Sequence, residues 1–177
     1  MSLFFITGLP GAGKTSVCEY LKSYGEAAYD VDDGFATHFD QNGRERDHWE
    51  RDFLFLLLPA KIDYLKKESE KANVFLCGNT SRPENYLSLF DRIVFLELEL
   101  DVLKERLRNR PDNPFGKDPE SLQAVIDYYP STNRFWSKLS QTNKRVKIVD
   151  ASLSLREVAD EITCFCIGSE LAREAQR

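Results

Sequence analysis

The sequence predicts a three-layer α/β domain, with a five-stranded parallel sheet between helices. Three observations predict it. Short continuous apolar runs such as Leu3-Phe4-Phe5-Ile6-Thr7 and Ile93-Val94-Phe95-Leu96 recur along the chain, the pattern of strands buried on both faces. Helical patterns follow these runs, and strand–helix alternation favours parallel pairing through helical crossovers. With 177 residues, 42% hydrophobic and 30% charged, the chain suits one domain, residues 1–177, with a real core.

The elements follow in order. Residues 3–7 form the first strand, and a helix runs from 14 to about 23. Residues 27–31 are a second strand ending in acids. From about 49 to 71 the pattern is helical, with Pro59 marking a kink or break. Residues 74–77 are a third strand stopped by Gly78-Asn79, and 92–97 a fourth. The next helix starts near Asp101 as N-cap and ends before Pro111. Arg110-Pro111-Asp112-Asn113-Pro114-Phe115-Gly116-Lys117 is a loop by composition. Asp118 caps a helix with Pro119 at its first position, and Pro130 interrupts it. A fifth strand at 146–149 and a last helix at about 155–167 complete the set.

Composition narrows the function classes. The 24 Lys and Arg against 29 Asp and Glu leave a net charge of −5, which gives no electrostatic reason for nucleic-acid or anionic-membrane binding. No stretch approaches the roughly 20 apolar residues of a membrane span. The first residues lack the basic segment and cleavage site of a signal peptide, so they read as a strand. Cys18, Cys77, Cys164 and Cys166 show neither a Cys-x-x-Cys pair nor His at zinc spacing. Reduced thiols in or near the core are expected, as in a cytoplasmic protein.

The chemistry is concentrated in Gly8-Leu9-Pro10-Gly11-Ala12-Gly13-Lys14-Thr15-Ser16. Gly8-x-x-x-x-Gly13-Lys14-Thr15 is a complete phosphate loop (Walker A), placed between a strand and a helix as that chemistry requires. Its backbone N–H groups can surround phosphate oxygens, and the following helix points its positive end at the same anion. Lys14 is expected to reach the β- and γ-phosphates of ATP, and the Thr15 hydroxyl to ligate Mg²⁺. The acids Asp30 and Asp32 end the second strand, on the sheet edge where ligands bind. A carboxylate there can hold Mg²⁺ or accept a proton from an attacking hydroxyl, whereas Asp at a strand end also suits helix capping.

These residues resemble the P-loop small-molecule kinases: shikimate kinase, gluconate kinase and the nucleoside monophosphate kinases. The segment 110–117 is further similar to bacterial adenylate-kinase-like proteins described as AAA-family ATPases or nucleotide kinases. The resemblance implies a strand order 2-3-1-4-5 and transfer of the ATP γ-phosphate to a hydroxyl or phosphate of a small acceptor. It implies that Asp32 orients and deprotonates the acceptor hydroxyl, with Mg²⁺ nearby, and that Asp30, Gly78, Asn79 and Arg134 line the acceptor site. Arg106 and Arg110 match arginines that close over ATP from a mobile lid at about 108–120, and an acceptor-binding insertion covers about 34–72. Asp150-Ala151 matches the segment bracketing adenine. Monophosphate kinases carry an Asp near the end of strand three, where this chain has Leu76-Cys77-Gly78; that favours use of the strand-two acids. Lys14, Asp32 and Arg110 are the expected catalytic residues, in a monomer or homodimer. Arg106 also suits pairing with the glutamates around it on a helix face.

The alternative is a nucleotide-binding ATPase or switch protein without a small acceptor. Asn143-Lys144-Arg145-Val146 fails the guanine-recognition pattern Asn-Lys-x-Asp at its fourth position, and no second acidic strand with a catalytic glutamate is evident. Both absences favour the kinase.

Overall fold

The structure is a computed structural model describing residues 1–111 and 113–168. Strands β1 (Leu3–Gly8), β2 (Ala27–Asp30), β6 (Val74–Cys77), β7 (Arg92–Glu97) and β8 (Val146–Asp150) form one parallel sheet in the order β2-β6-β1-β7-β8. Among these five main strands that order is 2-3-1-4-5, as expected. β3 (Ala36–Phe39), β4 (Glu45–Arg46) and β5 (Leu54–Leu57) make a second, antiparallel sheet in the order β4-β3-β5.

Alternation along β1 builds the two cores. Phe4 and Ile6 enter one buried cluster with Val17, Cys18 and Leu21 of α1 (Lys14–Ser23) and Val158 and Ile162 of α5 (Leu155–Ile167). Leu3 and Phe5 enter the other with Ile62 and Leu65 of α2 (Pro59–Ser69) and Trp136 of α4 (Pro119–Thr142). Trp136 stacks on Phe95 at 5.4 Å between centroids and is core. A strand buried on both faces has no polar side to show, so its sequence is an unbroken apolar run.

Four local expectations are corrected. Residues 49–57 are not helical: Leu54–Leu57 is a strand, and Pro59 begins α2 at its first turn, where the missing N–H costs nothing. Asp101 is not a cap; α3 (Leu100–Asn109) starts from Glu99 without a side-chain cap, and Asp101 lies in its first turn. Pro130 does not interrupt α4, which passes through it for 24 residues; its exposed position leaves the unpaired carbonyl one turn back free to meet water. The four cysteines are free, but Cys164 is exposed rather than near the core. Asp118 does cap α4, its carboxylate accepting from the N–H of Glu120 and Ser121.

Parallel register brings the strands' carboxyl ends together. Cys77 lies beside Ile6 on one side and Asp30 on the other, and Gly8 beside Leu96. The residues singled out in the sequence for phosphate chemistry leave the sheet at this edge or lie in the loops and helix start beyond it, apart from Arg106 on α3 and Arg134 on α4. No described helix is long and apolar enough to cross a membrane.

Candidate active site

The loop between β1 and α1 is shaped by close approach. A Cβ on Gly8 would lie 2.8 Å from the carbonyl oxygen of Leu96, a distance no side chain tolerates. Gly13 takes φ 93° and stands at the N-cap of α1 with no side chain capping the helix, and the first turn holds no acid. The N–H groups of that turn are therefore left to a ligand, with no carboxylate competing for the positive helix end. Pro10, Gly11 and Ala12 complete the turn, with Ala12 N–H donating to Leu9 O at 3.1 Å. Thr15 and Ser16 are exposed at the helix start.

Lys14 folds back over the loop and donates from Nζ to Leu9 O at 2.9 Å. Burial lowers its pKa to about 8; the charges of Asp32 and Asp30 partly oppose the fall, and Arg110 adds to it. Asp32 lies exposed just beyond β2. Partial desolvation, and then Asp30, push its carboxyl pKa up, while Lys14 pulls it down. The buried Asp30 is committed differently: its Oδ1 accepts from the N–H of Asp32 at 3.0 Å. That bond closes the turn presenting Asp32; no helix follows, so Asp30 closes a strand-ending turn and caps no helix.

Arg110, at the end of α3, donates from Nη2 to the carbonyl of Phe115. Its Nε is buried without a hydrogen-bond partner among the described residues. Burial lowers its pKa and Asp32 raises it. A buried, unpaired guanidinium N–H is costly unless something completes it. Lys14, Asp32 and Arg110 thus lie within reach of one another's charge. Arg106 lies on α3 between two parts of the expected nucleotide site: its Nη2 donates to Ala151 O at 3.0 Å, and its Nη1 would be 3.9 Å from a Cβ on Gly13. It pairs with none of the neighbouring glutamates among the described residues. Asp150 turns its carboxylate onto Ser152 N–H at 2.8 Å, and Ala151 is buried.

Gly78 is buried beneath the acids, where a Cβ would meet Val31 Cβ and Cγ2 at 2.3 Å. Asn79 beside it is exposed, and so is Arg134; among the described residues no hydrogen bond or ion pair joins Arg134 to the loop. Asp112, inside the expected lid, lies outside the described residues. The rest of that loop is folded against α3: Gly116 N–H donates to the buried Ser121 Oγ at 2.7 Å, and a Cβ on Gly116 would lie 2.9 Å from Leu107 Cδ2.

His38, which the sequence gives no role, and Trp49, which it suits as a buried anchor for a long helix or as a wall of the acceptor pocket, also reach this region; no helix forms at Trp49, which is only partly buried. His38 on β3 packs its ring 4.7 Å from Phe55, and feels the charge of Asp32. Trp49 meets Phe115 edge-to-face at 5.0 Å. Both owe their positions to the small antiparallel sheet and its loops, for which the sequence offered no signal beyond Pro59 opening a helix.

Oxygen donors fit a magnesium ion here. The Thr15 hydroxyl and Asp32 carboxylate are hard ligands, and among the described residues no cluster of three acidic, His or Cys side chains forms an all-protein cage. Mg²⁺ is commonly held by one or two protein groups together with phosphate oxygens and water.

Solved structures share this fold. A sugar kinase from Janibacter sp. HTCC2649, determined without ligand, is 12% identical with a TM-score of 0.60, covering 96% of each chain. Shikimate kinase from Acinetobacter baumannii, in complex with shikimate, is 17% identical with a TM-score of 0.60, covering 97% of this chain and 96% of that one. A gluconokinase from Sinorhizobium meliloti 1021 is 20% identical with a TM-score of 0.53, covering 98% and 93%. No curated protein sequence matches significantly. The family model described as AAA domain matches residues 5–126, from β1 through the phosphate loop into α4. The chain belongs to the AAA domain family and has the fold of the P-loop kinases.

Proposed function

We propose that the protein is an ATP-dependent phosphotransferase that moves the γ-phosphate to a hydroxyl or phosphate of a small acceptor, with Mg²⁺. The observation that carries this is the meeting of Lys14, Asp32 and Arg110 at the mouth of an uncapped phosphate loop. The loop amides and Lys14 bind the phosphates. Thr15 and Asp32 hold the magnesium ion, which supplies charge neutralisation on the phosphate oxygens when bound. Arg106 and Ala151 flank the nucleotide.

Asp32 orients the acceptor and takes the proton of its hydroxyl. Its raised pKa supports that role, because a base must hold the proton it receives. The buried Arg110 Nε supplies a donor already stripped of water, which suits charge developing on the transferred group. Residues 34–72 form the acceptor-binding insertion and 108–120 the lid, within one domain. Gly78, Asn79 and Arg134 contribute to the acceptor side of that arrangement.

The test pairs binding with transfer. Calorimetry should detect MgATP binding by the wild type and a severe loss in Lys14→Ala, with unchanged circular dichroism. A thermal-shift screen of metabolites beside a non-hydrolysable ATP analogue should find an acceptor that adds stabilisation. Slow ATP hydrolysis that no small acceptor accelerates would instead favour an ATPase or switch.

A further inference from the structure

We propose that Trp49 is a positioning residue for Arg110, acting through Phe115, so that the acceptor insertion sets the placement of the lid arginine. This rests on the phosphotransferase reading for its functional consequence but not for its physical content. The contacts form a continuous chain. The Trp49 indole meets the Phe115 ring edge-to-face at 5.0 Å between centroids. The carbonyl of the same Phe115 accepts from Arg110 Nη2. Arg110 holds its Nε buried and unpartnered, and exchanges charge effects with Asp32 and Lys14. Phe115 is the only group among the described residues that hydrogen-bonds the Arg110 guanidinium, so whatever fixes Phe115 fixes that guanidinium.

Both ends of the chain are held. On the insertion side, the His48 ring lies 2.9 Å from Asp47 Oδ1 and 3.1 Å from Glu50 Oε1, which pins the turn carrying Trp49. Arg51 pairs with Asp127 of α4, and Tyr128 Oη donates to Arg51 O at 3.5 Å. On the lid side, Phe115 N–H donates to Asn113 Oδ1 at 2.9 Å, and Gly116 N–H to Ser121 Oγ. The Arg51–Asp127 pair does not use the indole, so truncating Trp49 should leave the insertion docked. The damage is confined to the aromatic contact and what it supports.

The test is a cycle of Trp49→Ala and Arg110→Ala, with Trp49→Phe as the conservative variant. Affinity for a non-hydrolysable MgATP analogue is measured by calorimetry, and amide hydrogen exchange is followed without nucleotide. Trp49→Ala should weaken the analogue roughly tenfold and speed exchange at Phe115 and Gly116. Trp49→Phe, which keeps an aromatic edge, should restore most of both. In the Arg110→Ala background, Trp49→Ala should change affinity no further, because the two act in series. Equal losses with and without Arg110, or unchanged exchange at Phe115 and Gly116, would overturn the proposal. Phe115→Ala breaks the same contact from the other side and should match Trp49→Ala; a differing exchange pattern also overturns it. A wild type that fails to bind the analogue would sink the phosphotransferase reading, and the nucleotide-free exchange would still decide the role of Trp49.

Discussion

Replacing Gly78 by alanine would place a methyl carbon 2.3 Å from both Cβ and Cγ2 of Val31, and 3.3 Å from its Cα. Carbon atoms in contact sit about 3.5–4.0 Å apart, so well over an ångström must be found. Val31 cannot yield: it is fully buried, its N–H donates to Cys77 O at 2.8 Å, and its carbonyl accepts from Phe35 N–H at 3.0 Å. Because Cβ itself is in the clash, no rotamer of Val31 relieves it, and the ends of β2 and β6 must separate. Overpacking of this kind costs about 1–3 kcal/mol. For a chain of this size that lowers the melting temperature by roughly 3–9 °C. Val31 stands between Asp30 and Asp32, so the same displacement moves the acid proposed as base. Differential scanning fluorimetry reads the first effect, and phosphoryl transfer, once an acceptor is found, the second. Val31→Ala should not rescue the variant, since its Cβ remains; Val31→Gly should recover part of the loss. A Gly78→Ala protein melting with the wild type would refute the reasoning.

Three further outcomes are expected. Asp32→Asn should slow phosphoryl transfer about 10²-fold or more with MgATP affinity much less affected, and Asp33→Asn should do less; the reverse order in a steady-state assay would shift the base by one residue. Lys14, with its pKa lowered to about 8 by burial, is mostly neutral at pH 9, and a bound phosphate favours its charged form. Nucleotide binding at pH 9 should therefore take up a proton, whereas at pH 6.5 Lys14 is already charged and should take up none. Calorimetry in buffers of different ionisation enthalpy checks this, with Lys14→Ala as the control, and a buffer-independent heat at pH 9 would contradict it. Pro130→Ala restores a helix hydrogen bond to α4 at an exposed site. A mid-helix proline costs about 3 kcal/mol, and its loss frees the unfolded chain by up to about 1 kcal/mol, so a net gain near 2 kcal/mol is expected in urea unfolding.

The sequence was legible where local and tertiary demands agree. The buried stretches Leu3–Ile6, Val74–Cys77 and Ile93–Leu96 of β1, β6 and β7 are apolar because both faces are buried, and glycine is required at 8 and 13 by an approach and a backbone conformation that other residues resist. The signal of the phosphate loop is strong because so much of its geometry is backbone. What failed was non-local or ambiguous. Leu54-Phe55-Leu56-Leu57 lies in an apolar run of six, Phe53 to Leu58, that suits a buried helix or a strand equally. Its strand partner, Ala36-Thr37-His38-Phe39, lies some 20 residues away across a polar turn. Pairing of that kind leaves no period in either segment. Pro59 held the one local clue, because a proline opening a helix argues that the preceding residues are not helical. Taken that way, the segment before it must pair with something: β3 is its strand partner, and the chain beyond the carboxyl end of β6 bonds it as well. Thr80 Oγ1 donates to Phe55 O at 3.0 Å, Ser81 N–H to the same oxygen at 2.7 Å, and Phe55 N–H to Ser81 Oγ at 3.0 Å. The small sheet is thus fastened to the loop after Gly78, which brings His38 within reach of Asp32's charge and Trp49 onto Phe115. The phosphate half of the site is written in consecutive residues, and the acceptor half exists only once these distant segments have met.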